Sequence, residues 1–316
     1  MAPTLLLAAG GGGASALFFL SVAAGGGGAL VLAYLAPLPL MLLALGPGLG
    51  AAVAGGAVAT AAVALAHSPL AAGAFALANW VPVLIAAKQS LLARTRADGA
   101  LEWYPPGLLV MALAYYGVAL LVGAAILAAP DPVGLEGFVD RSVGEALSGL
   151  ADGEAGAEAN AVQAVVELLV PVFPALVVIS WLAMTVVNGA LAQGLLMRFG
   201  RNRRPPMRMS ELSLPASAPV GLAAAGLLAF LFDGAVGYVA ANAALVLLVP
   251  FFFAGLAVVH AAAERKGPKP VVLVLFYLFL LLFQWVVPLV VGLGLIEQWA
   301  GLRRRVAQAG PHSEDV

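Results

Sequence analysis

The side chains in this chain best suited to holding a solute are neutral and lie within apolar stretches. They are Asn79 beside Trp80, the pair Tyr115-Tyr116, Asn188, and Gln284 beside Trp285. Gln193 lies in the same stretch as Asn188, and Asn242 sits nearer the end of another. An amide offers donors and an acceptor, and an aromatic ring offers a flat wall. Together they suit a small molecule held between apolar surfaces. The same residues can instead hydrogen-bond one helix to another, at about 0.6 kcal/mol per bond in a membrane interior. Asn79 with Trp80 is the best single candidate for a binding role.

The residue types that carry catalysis are missing or scattered. The three histidines, His67, His260 and His312, are far apart, and no His/Glu pair has metal-ligand spacing. The absence of cysteine excludes disulfides, thiolate metal sites and cysteine nucleophiles. There is no Gly-rich loop ending in Gly-Lys-Ser/Thr to cradle phosphates. Gly46-Pro47-Gly48-Leu49-Gly50 lacks both the preceding strand and the later spacing of a dinucleotide fingerprint. No carboxylate, Lys or Arg falls at the middle of an apolar stretch, where proton-coupled carriers keep ionisable groups; Glu167 and Asp233 lie at boundaries. The expectation is a protein that is not an enzyme, with no metal and no cofactor.

Five arginines, Arg198, Arg201, Arg203, Arg204 and Arg208, could suggest a nucleic-acid partner. They directly follow an apolar stretch, Pro205-Pro206 interrupts them, and no aromatic residue interleaves them. Juxtamembrane arginines meet anionic lipid at about 1 kcal/mol each. Topogenesis and lipid contact are expected, and no nucleic acid.

These residues sit in a chain whose solvent is lipid. Of 316 residues, 63% are hydrophobic and 10% charged, against about 25% charged in soluble domains. Each crossing needs about 20 apolar residues. Spans are predicted over 4–24, 29–45, 49–66, 70–90, 107–129, 170–197, 214–232 and 235–260, with Pro82 as a kink. The run 271–300 is long for one span and short for two, so a break near 284–288 or a re-entrant hairpin is expected. The fold class is all-α, a polytopic transmembrane helical bundle of about 8–10 membrane segments. It is expected as a single membrane domain over 1–302 with a polar tail over 303–316.

The turn Gly46-Pro47-Gly48 separates two of these spans. Small residues at Gly46, Gly50 and Ala54, and again at Gly48, Ala52 and Gly56, let helix backbones approach closely. Gly46, Pro47, Gly50 and Ala54 are therefore the candidate face for helix packing or a partner. The acidic segment 130–167 has helical periodicity. Leu135, Phe138, Val139, Ala146, Leu147 and Leu150 can share one face, and Val162, Val165, Val166 and Leu169 another. These read as amphipathic helices resting on lipid.

Charge sets sidedness. The loops at 88–96, 198–208 and 265–269 hold three, five and three of the 15 Lys and Arg, while Arg141 is alone in 130–167. The positive-inside rule then puts the N-terminus in the cytoplasm and the acidic segment outside a bacterial inner membrane. A break in the last run would return Arg303-Arg304-Arg305 to the inner side.

The stretch Leu38-Pro39 followed by Gly46-Pro47-Gly48-Leu49-Gly50 and a small-residue helix resembles the substrate-binding S-components of energy-coupling-factor vitamin transporters. There a span entered through Leu-Pro ends at Gly-Pro-x-x-Gly. The resemblance covers about the first 200 residues, and the chain departs from it in having more than six spans. In length, span order and the ending Gly294-Leu295-Ile296-Glu297-Gln298-Trp299 before the arginines, the chain is similar to a family of bacterial membrane proteins labelled a domain of unknown function and grouped with S-components. The resemblance implies an S-component-like core that binds or helps move a small solute, with an ATPase partner supplying energy or none at all. The other reading is a scaffold subunit for cell-envelope or morphogenesis machinery.

Overall fold

The computed structural model describes residues 2–148, 157–264 and 268–303. Leu150, Arg265, Lys266, Arg304, Arg305 and His312 lie outside them, as do the side chains of Glu158 and Val162.

The described chain is a polytopic all-α membrane bundle. Its helices are α1 (Ala2–Leu20), α2 (Gly27–Tyr34), α3 (Pro37–Leu45), α4 (Leu49–Ala66), α5 (Pro69–Phe75), α6 (Val81–Ser90) and α7 (Pro106–Ala128). They continue as α8 (Gly134–Ser148), α9 (Ala157–Leu169), α10 (Phe173–Arg198), α11 (Ala218–Leu231), α12 (Gly234–Leu247), α13 (Val249–Ala263), α14 (Lys269–Leu282) and α15 (Val286–Ala300). Among the described residues seven stretches are long and apolar enough to cross a membrane, and three of them join two α-helices: Gly27–Leu45, Pro69–Ser90 and Gly234–Ala263. Three shorter apolar helices, α11, α14 and α15, accompany them.

Helix α11 starts four residues after the predicted 214. Ala218 donates to Pro215 O in a turn, and Pro219 sits in the first helical turn, where its missing N–H is harmless. The last apolar run is interrupted at residues 283–285, between α14 and α15. The basic loop after α6 holds two short strands that the sequence reading had not anticipated, β1 (Ala93–Thr95) and β2 (Leu101–Trp103). They pair antiparallel with Arg94 opposite Glu102. Asp98 Oδ1 accepts from Ala100 N at 3.0 Å and Gly99 takes φ +81°, the Asp-Gly chemistry of a tight hairpin. The Arg94 and Arg96 guanidinium groups hold the Glu102 carboxyl below the usual carboxylate range.

Two compact units make up the chain: Met1–Leu113 with Ser180–Met207, and Ala114–Ile179 with Arg208–Val316. In the first, α1 and α4 meet backbone to backbone. A Cβ on Gly12 would stand 2.2 Å from Gly55 O, and one on Gly55 would stand 3.1 Å from Ala8 O. Leu43 of α3 fills the space over Gly11 and Gly55. Ala52, Gly56, Ala59 and Val63 continue the buried face of α4. Small residues thus give the close van der Waals approach that drives association in lipid. Gly48 is buried at φ +123° under the Arg203 guanidinium, and Gly46 faces Leu196. Gly50 is exposed with nothing within 4 Å of a Cβ there, Pro47 is exposed and Ala54 is half-buried. Close packing inside the unit therefore runs through the Gly48–Ala52–Gly56 face, and Gly50 is left open.

The second unit repeats the device between α13 and α15. A Cβ on Gly255 would lie 1.9 Å from Val290 O, and one on Gly294 would lie 1.8 Å from Phe251 O. Helix α8 buries Leu135, Val139 and Val143, while Phe138 is 54% exposed. The large apolar residues of α8 buried within the protein step by four, while Phe138 and Ala146 are exposed. In α9, Val166 is buried and Val165 is exposed. Asp131, ahead of α8, is paired with Arg141 and accepts from Val133 N at 3.0 Å; both hydrogen bonds lower its pKa.

Two measurements follow. Gly12→Ala is expected to lower thermal unfolding stability in detergent by about 1–3 kcal/mol, since backbone must move to admit the methyl. Gly13→Ala, with nothing within 4 Å of its Cβ, is expected to be neutral or stabilising by up to about 1 kcal/mol from helix propensity. The depressed pKa of Asp131 means that its contribution is present above the ordinary aspartate range and is lost as pH falls through the lowered value. The Tm difference between wild type and Asp131→Asn should accordingly be largest near neutrality and close at acid pH.

Candidate functional site

A proline inside a helix removes one N–H and leaves the carbonyl four residues earlier without its partner. In hydrocarbon that carbonyl must find another donor. Asn79 and Trp80 lie at such a break, and Asn188 reaches another.

In the first unit, Pro82 releases Ala78 O. The span widens there into a π turn, Ala76–Trp80, closed by Val81 N–H to Ala76 O. Trp181 on α10 supplies the replacement donor, with Nε1 2.7 Å from Ala78 O. Asn79 lies buried in the widened turn, and its Nδ2 donates to Phe75 O at 3.4 Å. Trp80 packs its indole edge on Gly56, where a Cβ would stand 2.0 Å from Nε1. That Nε1 is buried and has no hydrogen-bond partner. Nor does the Oγ1 of Thr60, four residues beyond Gly56 on α4.

A second break falls between α2 and α3, where Leu38 N bonds Leu35 O rather than Tyr34 O. Asn188 Nδ2 donates to Tyr34 O at 2.7 Å and to Met184 O at 2.8 Å, and Ser15 Oγ donates to Ala36 O at 2.6 Å. Both N–H groups of the Asn188 amide are occupied by backbone, and its Oδ1 is buried without a partner.

The second unit repairs its break completely. Pro174 releases Val170 O, and Tyr238 Oη donates to it at 2.6 Å. Asn242, one turn along α12, donates to Pro171 O at 3.0 Å and accepts from Ala175 N at 2.9 Å. One amide thus replaces a missing helical bond from both ends. Tyr115 is exposed with its hydroxyl beside Gly221, and Tyr116 is half-buried. Gln284 and Trp285 are exposed in the turn before α15, where Trp285 meets Phe279 edge-on.

The seven candidate residues therefore divide. Asn79, Trp80 and Asn188 belong to the first unit, and Tyr115, Tyr116, Gln284 and Trp285 to the second. Buried side-chain atoms without a partner among the described residues are Thr60 Oγ1, Trp80 Nε1, Gln89 Oε1, Asn188 Oδ1 and Arg204 Nε. All five belong to the first unit.

Two features escaped the sequence reading. Trp181 and Tyr238 act as backbone partners at breaks; the prolines mark which carbonyls are freed, but not which side chain answers. Arg204 is set apart within its cluster by burial: it is 6% exposed, folded back into protein by a bond to Ser90 O. His260 Nε2 lies 2.9 Å from Tyr277 Oη. Among the described residues, no group of three His, Asp or Glu could hold a metal ion.

A family described as predicted membrane protein (DUF2232) has a model that matches residues 14–297. No curated protein matches the chain, and no solved structure does.

Asn242→Leu should leave Pro171 O and Ala175 N unpaired and cost about 1–3 kcal/mol for each buried group. Unfolding in mixed micelles would read the loss. Hydrogen exchange at the Ala175 amide should accelerate in the same variant.

Proposed function

We propose, from the premise that the chain belongs to the DUF2232 family of membrane proteins, that its first unit binds a small solute within the bilayer, in the manner of an S-component. The observation that carries this is that, among the described residues, the unpartnered buried side-chain polar atoms all fall in that unit, with Trp80 Nε1 beside the widened Ala76–Trp80 turn. A buried donor without an acceptor is costly, and π turns inside α-helices are frequent at functional sites. A solute carrying a hydrogen-bond acceptor on an apolar body would satisfy the indole. The role is non-catalytic, and energy for transport would come from an ATPase partner. The Lys and Arg bias supports basic loops on the cytoplasmic side of a bacterial inner membrane, with a cytoplasmic N-terminus.

Thermal-shift screening of the purified protein against vitamins and their precursors tests this reading. At least one compound should raise the Tm of wild type, and Trp80→Phe, which keeps the ring and removes the N–H, should lose most of that rise. Asn79→Ala should weaken it. The binding reading fails if no compound stabilises wild type and both variants behave like it.

A scaffold role has one observation in its favour. Pro47 and Gly50 are exposed, with nothing within 4 Å of a Cβ at Gly50, so a partner helix could seat there. Photo-crosslinking from position 47 in cells separates the readings. Capture of a coupling ATPase supports transport, and capture of envelope-assembly proteins supports scaffolding.

A further inference from the structure

Arg204 is the buried cation of the first unit, at 6% exposure. Its Nη1 donates to Ser90 O at 2.8 Å, at the C-terminal end of α6. Its guanidinium carbon lies 5.5 Å from the centroid of the Trp103 ring. Its own carbonyl is held by Gln193 Nε2 at 3.0 Å and Asn202 Nδ2 at 3.1 Å, so the backbone that presents the side chain is fixed.

No carboxylate of the described residues pairs with it. Arg94, Arg96, Arg141, Arg208 and Arg303 each have an acidic partner within 4 Å, and Arg204 has none. Its Nε is buried without an acceptor. A buried charge without a counter-charge is among the least favourable arrangements in a protein. The helix-end carbonyl of Ser90 engages one edge of the guanidinium. The opposite edge, Nε with Nη2, is the one that matches two oxygens of a phosphate or carboxylate in a bidentate pair. Burial lowers the pKa of the group, yet an arginine keeps its proton. The site therefore offers a permanent positive charge on a fixed planar fork, one face resting near an aromatic ring. It lies in the loop that follows the long apolar helix α10, where the chain leaves the hydrocarbon.

We propose that the Nε–Nη2 edge of Arg204, framed by Trp103 and Ser90, binds a phosphate group. The proposal does not depend on the solute reading, which concerns Trp80. The phosphate could belong to an anionic lipid headgroup or be free inorganic phosphate.

The test uses the full-length protein, purified in neutral detergent and reconstituted in nanodiscs. One arm titrates inorganic phosphate at ionic strength held constant with chloride. The other compares phosphatidylglycerol with phosphatidylcholine. Wild type should show a saturable rise in Tm. Arg204→Lys, which keeps the charge but cannot form the fork, should weaken apparent affinity by about tenfold or more, the loss expected for one charged hydrogen bond. Trp103→Leu should weaken it as well, and decides the matter if Arg204→Lys does not fold. Arg203→Gln, which leaves the Arg204 fork intact, should retain the response. A response to phosphate assigns a free anion. A response to phosphatidylglycerol alone, with retained lipid in native mass spectra, assigns a headgroup. No saturable response to either, or unchanged affinity in Trp103→Leu or in a folded Arg204→Lys, overturns the proposal.

Discussion

The rest of this structure depends on one constraint: hydrocarbon supplies no hydrogen bonds, so every main-chain group left open at a helix break must be closed by the protein itself. The long apolar stretches are not straight helices. Three interruptions are closed in this way: between α2 and α3, at the π turn before Pro82, and at residues 170–172, where α9 leads into α10. At each break a side chain from another helix reaches the exposed backbone: Asn188 and Ser15 at the first, Trp181 at the second, Tyr238 and Asn242 at the third. A polar side chain in lipid is itself costly unless partnered. Pairing a costly side chain with a costly carbonyl removes both problems, which is why amides occur in these spans.

The same constraint sharpens the contrast between the units. In the second, Asn242 uses its carbonyl and its amino group on backbone, and the local accounting closes. In the first, Asn188 uses only its amino group, and Trp80 and Thr60 keep unsatisfied atoms. Glycine makes both possible by letting helices touch. The α1–α4 contact at Gly12 and Gly55 and the α13–α15 contact at Gly255 and Gly294 are main chain against main chain. At Gly56 the absent side chain admits an indole edge instead.

Much of the architecture was legible in the sequence. Runs of about 20 apolar residues are sufficient evidence for a membrane bundle, and Pro82 marked where the fourth stretch departs from regular helix, at the π turn Ala76–Trp80. Details set by tertiary packing were not. Phe138 shares the apolar periodicity of α8, but which of its residues pack within the protein, Leu135, Val139 and Val143, depends on neighbours distant in sequence. The β1–β2 hairpin is short, and its Asp98-Gly99 signal sits in a charged loop that invites no strand reading. Among the candidate site residues, type and depth could be read. Whether an amide was free or occupied could not, because the answer lies 154 residues away for Asn188 and Tyr34. Arg204 looks like its neighbours in sequence, and only the fold separates it from them.

The bond from Trp181 to Ala78 crosses 103 residues of chain. The first unit is also discontinuous, built from residues up to Leu113 and then from Ser180 to Met207. The fourth crossing stretch therefore precedes, in chain order, the side chain that closes its Ala78 carbonyl. The donor arrives only when α10 is synthesised and inserted. Chain order therefore sets the order of closure: the bond to Ala78 O can form only after the sixth crossing stretch has followed the fourth.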